Sequence, residues 1–375
     1  MNKPLISGQS GPAARMEVPG SKIPAVAGLF SLALVLFGLI GHHVDNTIGW
    51  EAIPLWLAWA AMAVGLILLA ASVYFGNKQL HRRLMAKHFL PYLLIVPAIT
   101  FLLIFVLYPM LNLVYLSMFQ GNVMNATKRF MGLNNYKSIL FIKKDFMVAL
   151  TNTAVYTASM VVLLIFFAVL FALWMFPERK INHVAQTVFF TPHLIASVTI
   201  AFIFQWLMDE NSYGLFNSVL NAFGLPQLRW LNSSSTAMGS IVFVNVWGSI
   251  GYYALIMLAA LKSIPSDIYE AVAMDTNSRV KRFFYITLPM LSPQLFFILI
   301  TITIGSFKVF DSINIMTAGG PGSSTEVLAR YIYDYAFIRT NTLGIASAAG
   351  TVLMLILIVL TLIYFRVLGK KVFYQ

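Results

Sequence analysis

Cysteine is absent from all 375 residues, which removes disulfide frameworks, thiolate metal sites and cysteine nucleophiles at once. Charge is nearly as scarce. Only 10% of residues are Asp, Glu, Lys or Arg, against about 25% in soluble domains. The acidic side chains are the rarer kind, 13 against 25 basic, so the net charge is +12. No Gly-x-x-x-x-Gly-Lys-Ser/Thr phosphate loop occurs, and the chain therefore does not hydrolyse ATP by that route. His-Glu-x-x-His and Gly-x-Ser-x-Gly are missing too. Of the histidines, His42, His43, His81, His88, His183 and His193, no two stand at i and i+4, so they do not read as metal ligands.

What is abundant is apolar: 59% of the chain is hydrophobic. A helix needs about 20 apolar residues to cross the hydrocarbon layer. Eight such runs are predicted, at residues 23–41, 53–75, 89–108, 148–176, 187–208, 238–261, 291–310 and 345–365. The first is long and lacks a small-x-small cleavage site at Gly41-His42-His43, so it is expected to be a helix and not a signal peptide. Residues 1–22, rich in Gly, Pro and Ser, are expected to be a disordered tail. The predicted class is all-α and polytopic: residues 23–88 hold two additional spans and a basic loop, and residues 89–375 a core of six helices.

Lys and Arg in short loops mark the cytoplasmic side. With both termini cytoplasmic, that side collects Lys3, Arg15, Lys22, Lys78, Arg82, Arg83, Lys87, Arg179, Lys180, Lys262, Arg279, Lys281, Arg282, Arg366, Lys370 and Lys371. Residues 120–147 run against this pattern, placing Lys128, Arg129, Lys137, Lys143 and Lys144 outside. Basic residues beside apolar spans are a signature of membrane orientation, and nucleic acid is not an expected partner.

The charged segment 262–290 carries the most specific signal. Pro265 fits the first turn of a helix and Asp267 favours its N-terminus. Ile268, Ala271, Val272 and Asp275 then fall at i, i+3, i+4 and i+7, a small apolar face suited to a groove on a partner, with Glu270 at its edge. Pattern alone allows an amphipathic helix lying on lipid headgroups equally well. Glu270-Ala271-Val272-Ala273-Met274-Asp275 followed by Ile286-Thr287-Leu288-Pro289 resembles the coupling loop of membrane subunits of binding-protein-dependent ABC importers. Thr276 stands where that family has Gly. A second segment, Val309-Phe310-Asp311 through Thr317 and Gly319-Gly320-Pro321, with Thr325 and Tyr331-Ile332-Tyr333, resembles the carbohydrate branch, the maltose and glycerol-phosphate type permeases. The resemblance runs from about residue 89 to the C-terminus.

Polar side chains within spans suggest function. Lys308 and Asp311, at i and i+3, either pair structurally or line a substrate path. In the sixth span Asn245, Trp247, Ser249, Tyr252 and Tyr253 stand beside Gly248 and Gly251. Aromatic faces and amides suit a sugar, but small-residue spacing with aromatics is also plain helix packing. The resemblance implies sugar contacts at Asn245, Trp247 and Tyr252, and at Ser306 in the seventh span. It implies ATPase coupling at Glu270, Ala271, Val272, Asp275 and Thr276, and a loop at Gly319, Gly320 and Pro321 that faces the binding protein.

The resemblance further implies an ATP-driven carbohydrate importer in a prokaryotic cytoplasmic membrane, in which this chain forms half of the pathway. The implied partners are a second homologous permease, two ATPase subunits and an extracytoplasmic solute-binding protein. No cofactor is expected on this chain, since ATP and Mg belong to the ATPase. The chain is then no enzyme. An ion-coupled secondary transporter of a small polar solute is the alternative, but it requires ionisable residues deep in several spans, where they are few. A membrane-embedded enzyme requires a cluster of carboxylates or histidines at one depth, which the sequence does not supply.

Overall fold

The computed structural model describes residue 95 and residues 98–121, 129–211, 213–276 and 278–369. The expected tail, the first two spans and the start of the third lie outside the described residues. The chain divides into two compact units, Met1–Leu111 and Asn112–Gln375. It is mainly helical, and among the described residues five helices are long and apolar enough to cross a membrane, with a sixth span possible from a bent pair.

Helix α1 (Ala98–Leu116) exposes Phe101, Phe105 and Leu111, a composition that suits lipid contact. The span predicted from sequence ends at Tyr108, yet the helix continues through Pro109. The reason is a π turn over Leu103–Leu107, where the Tyr108 N–H donates to the Leu103 carbonyl five residues back. This wider turn accommodates the proline ring that would clash in a regular helix. The same device recurs over Phe283–Thr287, where Leu288 N–H donates to Phe283 O ahead of Pro289.

Residues 120–147 are folded as far as they are described. Strand β1 (Phe119–Gln120) pairs antiparallel with β2 (Arg129–Phe130), Phe119 opposite Phe130. After helix α2 (Asn134–Lys137), a π turn leads into α3 (Lys144–Met175). The Asn135 side chain ties this segment down by donating to Ser117 O at 2.8 Å and Phe119 O at 3.0 Å.

α3 buries Thr153, Tyr156, Met160, Leu164, Ala168, Ala172 and Met175, one stripe at three- and four-residue spacing. Against it pack α7 (Ala237–Lys262) and α9 (Ser292–Phe307), and Ile241, Val244, Ala254, Met257, Leu261, Ile298 and Ile302 complete a common core. Small residues on the stripe let backbones approach. A second core joins Phe146 and Ala149 of α3 to Leu328 and Tyr331 of α11 (Leu328–Tyr333) and to Ala346, Ala348 and Ala349 of α12 (Leu343–Ile363).

Two spans are interrupted. The sequence predicts one helix over residues 187–208; instead α4 (Lys180–Phe190) passes through a 3₁₀ turn at Thr191–Leu194 and meets α5 (Ser197–Leu207) at 97°. Pro192 opens the 3₁₀ turn and Ile195 and Ala196 are extended, which breaks the hydrogen-bond ladder. The seventh span stops at Phe307 and resumes as α10 (Asp311–Met316), which packs on α5. Between α5 and α7 the amphipathic helix α6 (Leu215–Ala222) is held by Asn217. That buried amide donates to the carbonyls of Asp209, Glu210 and Leu228 at 3.0–3.2 Å and accepts from Leu228 N and Trp230 Nε1.

Candidate functional site

The first interruption, α5 and α10 meet beside α7 around an open cavity of about 250 Å³. Its walls come from Pro192, His193 and Ile195 at the first break, Ser197 on α5, Asn245, Gly248 and Ser249 on α7, and Ser312 on α10. The break approaches α7 so closely that a side chain at Gly251 would collide with the carbonyl of Phe189. Glycine at 251 thereby lets α4 reach α7 and sets the turn that carries His193.

Asn245 Nδ2 donates to Ile241 O at 2.9 Å, one turn back, and to Ser312 Oγ at 3.0 Å. Its carboxamide thus lies at the cavity wall and links α7 to α10. His193 lies flat on Tyr252, ring centroids 4.4 Å apart and planes 17° from parallel, and Tyr252 meets Tyr253 edge-on at 5.1 Å. Asp311 and Lys308 form no ion pair with each other; Asp311 Oδ2 accepts from Ser197 Oγ at 2.6 Å.

The structure therefore gathers Asn245 and, through His193, Tyr252 at one cavity. It places two other predicted residues elsewhere. Trp247 is 39% exposed and packs edge-on against Phe204 at 5.1 Å, outside the cavity lining. Ser306 is buried at the end of α9, where its carbonyl accepts from Val309 N. Sequence reasoning missed His193, Ser197 and Ser312. The signal for His193 was Pro192 inside an apolar run, which marks a break and hence backbone at a cavity.

At the end of α7 the segment 262–290 holds helix α8 (Ser266–Asp275), where no residue is fully buried. Ile268, Tyr269 and Val272 turn partly inward, Tyr269 OH standing 3.1 Å from Thr287 Oγ1. The outward face is Asp267, Glu270, Ala271 and Met274, the last 89% exposed, followed by exposed Val280, Phe284 and Tyr285. Ala271 thus stands at the exposed edge of the face whose inner part is Ile268 and Val272. Thr276 is extended, φ −154° and ψ 134°, and its Oγ1 accepts from Ser278 N at 3.3 Å. The turn after α8 uses no left-handed residue at 276.

The loop after α10 is tightly cross-tied by hydrogen bonds. Gly319 takes φ +82°, and a side chain there would collide with the Glu326 carboxyl group. The Gly320–Pro321 bond is cis. Thr325 Oγ1 donates to Gly320 O at 2.6 Å, and Asn152 of α3 donates to Ser323 O and Glu326 O at 2.9 Å. Glu326 and Arg330 form an ion pair with both side chains largely buried. Burial pushes the Glu326 carboxyl above its usual range, against the opposing pull of Arg330.

Residues 164–374 match the family model of the binding-protein-dependent transport system inner membrane component. The chain belongs to this family. It is 37% identical over 281 residues to the probable ABC transporter permease protein YurN of Bacillus subtilis (strain 168), covering 74% of this chain and 95% of that protein. It is 32% identical over 278 residues to the trehalose/maltose transport system permease protein MalF of Thermococcus litoralis, covering 74% and 93% respectively. A bacterial alginate ABC transporter, solved with an alginate pentasaccharide-bound periplasmic protein, shares the fold with a TM-score of 0.66 at 23% identity, over 76% of this chain and 95% of that one. The chain is accordingly a multi-pass inner-membrane permease subunit of an ABC importer, on the branch with sugar-transporting relatives, and carries no catalysis of its own. This membership does not favour the ion-coupled alternative. Among the described residues no group of three His, Asp or Glu side chains could hold a metal ion.

Proposed function

We propose that this permease forms half of the translocation pathway of an ATP-driven sugar importer, and that the cavity beside Asn245 belongs to its substrate path. The observation that carries this reading is the meeting of the broken span over residues 180–207 and α10, which follows the break after α9, at one half-polar pocket beside α7. Non-helical backbone is tolerated at membrane depth only where protein buries it or where it borders a water-filled path. Asn245 supplies the amide that reads sugar hydroxyls, and the His193–Tyr252 stack an apolar ring face.

In the same reading both termini are cytoplasmic. A second homologous permease completes the pathway, and an ATPase pair docks on the outward face of α8 at Glu270, Ala271 and Met274, near Val272, Asp275 and Thr276. ATP and Mg act on those subunits. The loop at Gly319, Gly320 and Pro321 faces an extracytoplasmic solute-binding protein. ATP-driven closure of the ATPases pushes α8, and rocking of the two permeases switches access to the site.

Reconstitution of the complex in proteoliposomes tests this. Uptake of a sugar should require ATP inside and the binding protein outside, and Asn245→Ala should change the order of preference among sugars more than the yield of complex. Uptake driven by an ion gradient without ATP, or failure of this chain to assemble with an ATPase, would overturn the reading.

A further inference from the structure

No residue lining the cavity is Lys, Arg, Asp or Glu; Asp311 accepts a hydrogen bond from one lining residue, Ser197, and directly precedes another, Ser312. Asp311 follows the break in one span and Ser197 the break in the other, and their 2.6 Å hydrogen bond joins the two. A carboxylate in a membrane segment is costly, and such groups usually pair with a cation or serve a path. Lys308, three residues earlier, makes no ion pair with Asp311; of the described residues, the neutral hydroxyl of Ser197 is its donor.

We propose, resting on the transport reading above, that Asp311 is the hydrogen-bond acceptor that selects neutral, hydroxyl-rich solutes in this cavity, with Ser197 occupying the place a solute hydroxyl takes on entry. Exchanging one hydroxyl donor for another preserves the charge-assisted bond, so entry costs that carboxylate nothing. Ser312 and Asn245 present a second donor and acceptor pair on the same wall for a neighbouring hydroxyl. A phosphate or uronate would set two negative charges together with no lining Lys or Arg to offset them. At about 250 Å³ the cavity is smaller than the roughly 300 Å³ at which small-molecule sites usually begin, which suits one sugar ring at a time.

The test uses the complete importer in proteoliposomes, offered neutral solutes (maltose, trehalose, arabinotriose, glycerol) and anionic ones (sn-glycerol 3-phosphate, digalacturonate). Uptake of neutral solutes alone is expected. Asp311→Asn should lower the maximal rate about tenfold or more in assembled complex, Asp311→Glu should restore part of it, and Ser197→Ala should lose several-fold less than Asp311→Asn. A purely structural clasp predicts equal losses for Asp311→Asn and Ser197→Ala, and that result would overturn the proposal. So would uptake of an anionic solute, or an Asp311→Asn rate within about twofold of the parent.

A second measurement does not depend on the Asp311 variants folding. Ser197→Cys in this cysteine-free chain should react with a methanethiosulfonate reagent and be protected by the transported neutral solute, not by sn-glycerol 3-phosphate. Equal labelling with and without the neutral solute would overturn the proposal. If no solute of either class moves with ATP, the transport reading itself fails.

Discussion

His193 and Tyr252 lie face to face, 4.4 Å apart, one on a turn between broken helices and the other on the unbroken α7. A stack of this kind contributes about 0.5–1.5 kcal/mol beyond its buried area. His193→Ala and Tyr252→Ala should each lower sugar uptake several-fold, and the double variant should cost less than the sum of the two. Additive losses in that double-mutant cycle would show that the rings act separately.

Gly251→Ala should damage folding and not selectivity. The added methyl group meets backbone, the Phe189 carbonyl, which cannot swing aside as a flexible side chain would. Overpacking of this kind costs about 1–3 kcal/mol. A lowered melting temperature and reduced yield of complex are expected in size-exclusion thermostability measurements. An unchanged melting temperature would mean that α4 is free to move away from α7.

Coupling is expected to depend on the outward face of α8. Glu270→Ala and Met274→Asp change a charge and an apolar side chain that are both exposed among the described residues. Both should insert normally yet lower substrate-stimulated ATP hydrolysis, with Ile268→Ala acting instead on stability. Parent-like ATPase rates in both outward variants would exclude this face from docking.

At Thr276 the backbone is extended, so glycine relieves no strain there. Thr276→Gly should destabilise the segment by roughly 0.5–1 kcal/mol through backbone entropy, in addition to losing the hydroxyl that accepts from Ser278 N. A gain in complex yield would show that the turn adopts a left-handed form when the ATPase is bound.

Glu326 gives a pH dependence of definite sign. Its carboxyl titrates above the ordinary value of 4.5 because burial favours the neutral form. The folded state therefore holds this proton more tightly than the unfolded state, and stability from this group rises as pH falls through the folded value and is lost as pH climbs back. The melting temperature of the parent minus that of Glu326→Gln should increase from pH 7 towards pH 5. A difference that shrinks over that range would contradict the burial argument.

Much of this architecture was legible in apolar run length. The spans predicted at residues 148–176, 238–261 and 345–365 match α3, α7 and α12 within a few residues at most ends, because long runs without charge leave little choice but a helix. Prolines were the source of error, in both directions. Pro109 sits in a helix that a π turn keeps intact, whereas Pro192 does break one, and run length cannot tell these apart. The site was half legible. Asn245 and Tyr252 share one helix face at a spacing of seven, which sequence shows directly. Their companions His193, Ser197, Asp311 and Ser312 come from segments about fifty or more residues away, brought together by the two breaks. Spacing alone did not show which part of the α8 face stays open: Tyr269 reaches Thr287 and Ile268 and Val272 are half-buried, while Ala271 beside them is exposed.

Asn217 organises the connection from α5 to α7 much as a bound cation organises a small loop. One centre gathers groups from positions 209, 210, 228 and 230, which are far apart in sequence. The amide does this with no net charge, so the arrangement is indifferent to ionic conditions and needs no ion to be supplied. Substitution there removes every spoke of the wheel together, and the connection then changes from a strut of fixed length into a slack tether.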